Sequence, residues 1–155
     1  MFNIVLLEPR IPQNTGTIGR LAFATGCRLH LIKPYGFEIT EKALRRAGLD
    51  YWKDLEVLEY DNIEDFWAKN KNDSDHFFAT TKTKKPYFEA HYKKGDYMWF
   101  GREDAGLPEE LLENYQEFCV NIPMTNDARS LNIANSVSIL VYDGIRQNFE
   151  EFKQS

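Results

Sequence analysis

Apolar residues along the chain fall into short runs separated by stretches of helical periodicity. Asn3–Leu7 is continuously apolar after its first residue, and Arg28–Ile32 alternates around Leu29 and Leu31. Runs at 55–58, 76–80, Tyr97–Phe100 and 118–122 have the same length and β-prone composition. Between them the pattern predicts helices at 15–25, 41–48, Ile63–Lys69, 108–115 and 131–149. In the last of these Ala134, Val137, Leu140 or Val141, and Ile145 recur at helical spacing and give an apolar face. Strands that alternate with helices predict an α/β fold, a mainly parallel sheet flanked by helices. No repeat, low-complexity stretch or linker interrupts the 155 residues, so a single domain over 1–155 is expected.

Composition narrows this little. The apolar runs are far too short to span a membrane, and the N-terminus lacks a basic segment followed by an apolar core. No membrane association and a cytoplasmic location are the expectations. Cys27 and Cys119 sit in apolar contexts and read as reduced core residues.

Charge changes the picture more. The net charge of −5 argues against a nucleic-acid partner until its distribution is considered. Residues 10–53 hold eight basic and three acidic side chains, and 79–102 hold six and two, with Lys82, Lys84 and Lys85 clustered. Acids dominate 54–75 and 103–117. Such blocks allow a basic face on an acidic body, although solvated charged surfaces account for them equally well.

The chemistry-bearing residues gather where strands end, the usual ligand-binding edge of a parallel sheet. There is no dinucleotide-binding glycine pattern and no phosphate-binding loop, and His30, His76 and His91 lack the spacing of a metal site; no metal is expected. Three segments stand out. In Pro12-Gln13-Asn14-Thr15-Gly16-Thr17-Ile18-Gly19-Arg20, Asn14 or Thr15 would cap a helix, and Gly16 and Arg20 share one face. That face suits a phosphate or ribose; an ordinary capped helix suits the residues too. In Phe100-Gly101-Arg102-Glu103-Asp104-Ala105-Gly106-Leu107, Gly101 would let a flat ligand approach the backbone, though a simple strand-to-helix turn also uses glycines. In Ile122-Pro123-Met124, followed by Ser130-Leu131-Asn132-Ile133-Ala134-Asn135, Ser130 would cap the long helix. Backbone amides there, with Ile122 and Leu131, would receive a flat ring.

These segments, in this order, resemble the SPOUT superfamily of RNA methyltransferases, and specifically its minimal members that methylate the ribose 2′-OH of the tRNA wobble nucleotide. The resemblance runs nearly the full chain and includes Leu44-Arg45-Arg46-Ala47-Gly48-Leu49-Asp50-Tyr51. It implies a C-terminal trefoil knot, a homodimer, and S-adenosyl-L-methionine as cofactor with S-adenosyl-L-homocysteine as product. It further implies tRNA as partner, methylated at cytidine or uridine 34, with leucine tRNAs as the expected substrates. By the resemblance Arg20 and Asn14 are catalytic, and Ala79, Gly101, Glu103, Ile122, Ser130 and Leu131 bind the cofactor. Arg45, Arg46, Lys82, Lys84 and Lys85 are candidate RNA contacts. Where some relatives carry a serine, this chain has Ala134, which shifts chemical weight onto Arg20. Two other readings remain: a 2′-O-methyltransferase of a different RNA, and a non-enzymatic RNA-binding protein that keeps the fold.

Overall fold

The computed structural model describes residues 1–37 and 52–154. The helix expected at 41–48, with Arg45 and Arg46, lies outside the described residues. Six parallel strands form one sheet: β1 (Asn3–Leu7), β2 (Arg28–Ile32), β3 (Val57–Tyr60), β4 (His76–Ala79), β5 (Tyr97–Phe100) and β6 (Cys119–Val120). Their spatial order is β3-β2-β1-β5-β4-β6. Among the described residues the α-helices are α1 (Pro12–Thr25), α2 (Ile63–Lys69), α3 (Glu109–Asn114), α4 (Ile133–Gln147) and the short α5 (Phe149–Lys153).

The strands alternate which face they feed. Ile4 and Leu6 of β1, with Leu29, Leu31, Met98 and Phe100, pack beneath α1 and α4, which supply Ile18, Ala22, Val137, Leu140, Val141 and Ile145. Val5 and Leu7, with Ile32, Phe78, Tyr97 and Trp99, point the other way, toward Phe66 of α2 and Leu111 and Leu112 of α3. Burial on both sides explains why these strands read as continuous apolar runs. α1 and α4 pack directly on each other, and Gly144 of α4 lies so close to the sheet that an added Cβ would stand 2.6 Å from the Phe2 ring.

A polar chain, exposed at Asn72 and buried at His30, crosses the strands. Asn72 donates to the Tyr97 hydroxyl (3.0 Å), Tyr97 to Asn70 Oδ1 (3.2 Å), and Asn70 to the Tyr60 hydroxyl (3.1 Å). His30 then stands between Tyr60 (2.8 Å) and Asn3 Oδ1 (2.8 Å), while Asn3 Nδ2 donates to the Gly95 carbonyl (2.9 Å). The only ring assignment that continues the chain is neutral: Nδ1 accepts from Tyr60 and Nε2–H donates to Asn3. Burial pulls the His30 pKa down to about 4, in keeping with that state.

Four elements coincide with the sequence pattern: β1, β2, β5 and α2. β3 begins two residues later than expected and runs to Tyr60, whose ring packs on Phe66 and whose hydroxyl joins the polar chain. α1 starts at Pro12 and not at residue 15, and α4 is capped by Asn132 and not by Ser130. Both cysteines are free and buried.

Candidate active site

Sheet order changes direction between β1 and β5, a place where ligands collect outside the carboxyl ends of parallel strands. A cavity of about 480 Å³ opens there. Its walls come from every strand end near the switch: Ile11 and Asn14 after β1, Ala79 to Lys82 after β4, Phe100 to Leu107 at β5, and Ile122 and Met124 beyond β6. Arg129 to Ile133 and Ser136, leading into and along α4, close the remaining side. The size suits a nucleoside-sized ligand.

The loop after β5 is built around its glycines. A Cβ on Gly101 would lie 2.1 Å from the Gly106 carbonyl carbon and 2.3 Å from the Leu107 amide nitrogen. The missing side chain thus serves the close approach of the loop to itself, with Gly106 in the left-handed region at φ 71°. Arg102 forks onto Asp104 at 2.9 and 2.8 Å, which holds the Asp104 carboxyl below and the Arg102 guanidinium above their ordinary ranges.

Glu103 reaches across to α1. Its two carboxylate oxygens accept from the backbone amides of Arg10 (2.9 Å) and Ile11 (3.2 Å). Ile11 is the N-cap position and has no side-chain oxygen to offer; the Glu103 carboxylate from the loop after β5 anchors the chain at the helix entrance and places negative charge near the helix N-terminus. The helix itself opens on Pro12, whose fixed φ and missing N–H suit the first helical position. Just before it, Glu8 adopts φ 53°, a left-handed backbone unusual for a non-glycine residue, where β1 hands the chain to α1.

A second tie joins α1 to α4. Asn132 accepts from the amides of Ala134 (2.8 Å) and Asn135 (3.3 Å) through Oδ1, and its Nδ2 donates to Asn14 Oδ1 (3.1 Å). One side chain therefore caps the helix and orients Asn14 at the cavity wall. The site residues that the sequence predicts do not include Asn132. Its signal in the sequence was an asparagine in the first turn of a long helix, which simple capping by Ser130 leaves unexplained.

Of the residues expected in the site, Asn14, Ala79, Lys82, Gly101, Glu103, Ile122, Ser130 and Leu131 line the cavity together. Arg20 does not; it is exposed on α1, six residues beyond Asn14 and turned about 120° around the helix from it. Lys84 and Lys85 also lie off the cavity, along the segment after Lys82. Lys82 pairs with Glu109 at 2.9 Å, and Lys85 reaches the Glu117 carbonyl at 3.4 Å. Among the described residues no cluster of three or more His, Cys, Asp or Glu side chains is arranged to hold a metal, and no helix is long and apolar enough to cross a membrane.

The model of the SpoU rRNA Methylase family matches residues 1–142. A tRNA (cytidine(34)-2′-O)-methyltransferase of Saccharophagus degradans is 47% identical over 149 residues, covering 95% of this chain and 96% of that one. A solved structure that offers structural insights into the 2-OH methylation of C/U34 on tRNA matches with a TM-score of 0.91 at 38% identity, over 97% of both chains. An AdoMet-bound rRNA methyltransferase from Sinorhizobium meliloti matches with a TM-score of 0.82 at 26% identity, over 94% of this chain and 56% of that one.

Proposed function

The chain belongs to the SpoU rRNA Methylase family, and from that premise we propose that it methylates the ribose 2′-OH of nucleotide 34, cytidine or uridine, in tRNA. The observation that carries the reading is the convergence of Asn14, Gly101, Ile122 and Ser130 on one cavity, in a chain 47% identical over nearly its full length to an enzyme of that name. Leucine tRNAs are the substrates we expect.

The cavity fits S-adenosyl-L-methionine. Ile11 and Leu131 line it yet remain 41% and 40% exposed, apolar walls that nothing among the described residues covers and that a purine ring would. Ala79, Gly101, Ile122, Ser130 and Leu131 would hold the cofactor through backbone groups and apolar contact, with Glu103 holding the loop in shape. When bound, the cofactor supplies an electrophilic methyl group and leaves as S-adenosyl-L-homocysteine. The protein's task is then to aim a ribose hydroxyl for in-line attack and to stabilise the charge that develops on its oxygen. Arg20 suits the second part, since a guanidinium stays protonated and supplies positive charge and phosphate binding rather than a base. Asn14, oriented by Asn132, suits the first.

Arg20 lies outside its own chain's cavity, and this favours a homodimer in which it completes the partner's site. Exposed Phe23 on α1 and Tyr142 on α4, two helices that pack together, support an apolar contact there. We further take the chain as a single domain over 1–155, with its C-terminal segment threaded as the trefoil knot the resemblance implies. Support comes from one sheet uniting all described strands, and from the loop after β4 and the entry to α4 facing each other across the cavity. Lys82, Lys84, Lys85, Arg45 and Arg46 are the proposed RNA contacts, and a tRNA substrate favours a cytoplasmic location.

The test is methyl transfer to an unmodified leucine tRNA transcript, with the product mapped by nuclease digestion and mass spectrometry. A 2′-O-methyl group at nucleotide 34 is expected, lost in Arg20→Ala while calorimetry finds cofactor affinity unchanged. Methylation at another nucleotide, or of ribosomal RNA only, would favour a different RNA substrate. Absence of cofactor binding would leave an RNA-binding protein without chemistry.

A further inference from the structure

We propose that Phe88 is a stacking platform for an unpaired nucleobase of the substrate RNA, beside the cavity and fixed to its wall. The proposal rests on the reading of the protein as a tRNA methyltransferase.

Among the described residues six large apolar side chains are strongly exposed. Ile11 and Leu131 line the cavity, and Phe23, Tyr142 and Phe149 belong to α1, α4 and α5. Phe88, 51% exposed, is the one that stands in a lysine-rich segment: residues 79–102 carry six basic and two acidic side chains in a protein of net charge −5. Lys84, four residues before it, is exposed and has no ion-pair partner among the described residues. Aromatic faces set among cations suit single-stranded nucleic acid, because every base has a face to stack and every nucleotide a phosphate to neutralise.

The segment is continuous with the site and rigidly mounted. Pro86 bridges to Asn121, the residue before the cavity-lining Ile122. The Tyr87 amide donates to the Asn121 carbonyl (2.8 Å), and the Asn121 amide to the Lys85 carbonyl (2.8 Å). Below the turn at Tyr87–Glu89, the Tyr92 hydroxyl donates to the Tyr87 carbonyl (2.7 Å) and Gln147 of α4 to the Ala90 carbonyl (3.0 Å). Tyr87 packs on the core and meets Phe88 with perpendicular rings at 5.3 Å, an arrangement that covers at most one face of Phe88. The ring is therefore held outward by an ordered support, so little ordering is required when a base docks.

The experiment measures binding of a fluorescein-labelled anticodon stem-loop RNA by anisotropy, together with steady-state KM and kcat on tRNA. Phe88→Ala and Phe88→Leu are expected to weaken RNA binding and raise KM for tRNA about tenfold, with kcat and cofactor affinity unchanged. Phe88→Trp should bind at least as tightly as wild type. Wild-type RNA affinity in Phe88→Ala would overturn the proposal. So would wild-type affinity in Phe88→Leu, which keeps apolar bulk without a stacking face. A lower sedimentation mass in Phe88→Ala would assign the ring to a protein contact instead. Should the wild type bind RNA but fail to methylate nucleotide 34, the functional reading falls, and the anisotropy series still decides whether Phe88 stacks.

Discussion

A single carboxylate, that of Glu103, links two parts of the site that are far apart in sequence. It belongs to the loop that shapes the cavity, yet both of its oxygens are used at the two amides just before α1. Hydrogen bonds from amides to a charged acceptor contribute about 1.5–3 kcal/mol when partly shielded from water. Glu103→Ala should therefore free the loop and the helix start together. The expected outcome is a cofactor Kd raised at least tenfold by calorimetry, with Glu103→Gln intermediate because one amide oxygen replaces two carboxylate oxygens. Equal cofactor affinity in all three proteins would show that the tie does not shape the pocket. Gly101 makes a related point. Its lack of a side chain invites a ligand-binding interpretation, whereas the space it leaves is filled by the backbone of Gly106 and Leu107.

Among elements, β2 and β4 each carry a histidine whose titration bears on stability. His30 is 1% exposed and neutral in the folded chain, with its pKa lowered to about 4 from 6.5 by burial. His76, on β4, accepts from the Trp99 indole N–H (3.0 Å) and is likewise lowered to about 4 by burial. Between those values the unfolded chain binds protons that the folded chain does not. The stability from keeping these rings neutral is therefore complete above pH 6.5, falls as pH drops toward 4, and levels off below that. For His30 the loss amounts to about 3 kcal/mol. Thermal unfolding followed by circular dichroism should give midpoints that fall steeply from pH 6.5 to 4, and His30→Gln should flatten that fall while lowering stability at pH 8. At this scale the sequence was most legible where burial alone sets the pattern. β1, β2 and β5 are buried on both faces, and α2 carries its own Asn62 cap, whose side chain accepts from the Asp65 amide. It was least legible where a distant residue intervenes. The anchoring of the chain entering α1 involves Glu103, the end of β3 His30 and Phe66, and the pairing of Asn14 with Asn132 the docking of two helices. The cavity residues themselves were readable because each follows a strand; that Arg20 stands apart from them was not.

For the whole molecule, the separation of Arg20 from its own cavity makes the number of chains per working site a measurable quantity. If the chain forms the proposed homodimer, mixing Arg20→Ala with a chain whose cavity is blocked by Ile122→Arg gives mixed dimers. If each site borrows its arginine, such a dimer contains one intact site, and methyl transfer should recover to roughly a quarter of the wild-type rate at equal mixing, where about half the dimers are mixed. If each chain completes its own site, the mixture stays inactive. The Asn132–Asn14 hydrogen bond carries a further consequence, for the protein's own synthesis. Its two partners are 118 residues apart, and Asn14 leaves the ribosome long before Asn132 is made. A nascent chain thus displays its helix-borne half of the site with no opposing wall, and neither a methyl donor nor an RNA loop can be held between them. The two halves can meet only after the long helix that follows Asn132 has been made and has docked, which ties the onset of activity to the folding of that helix.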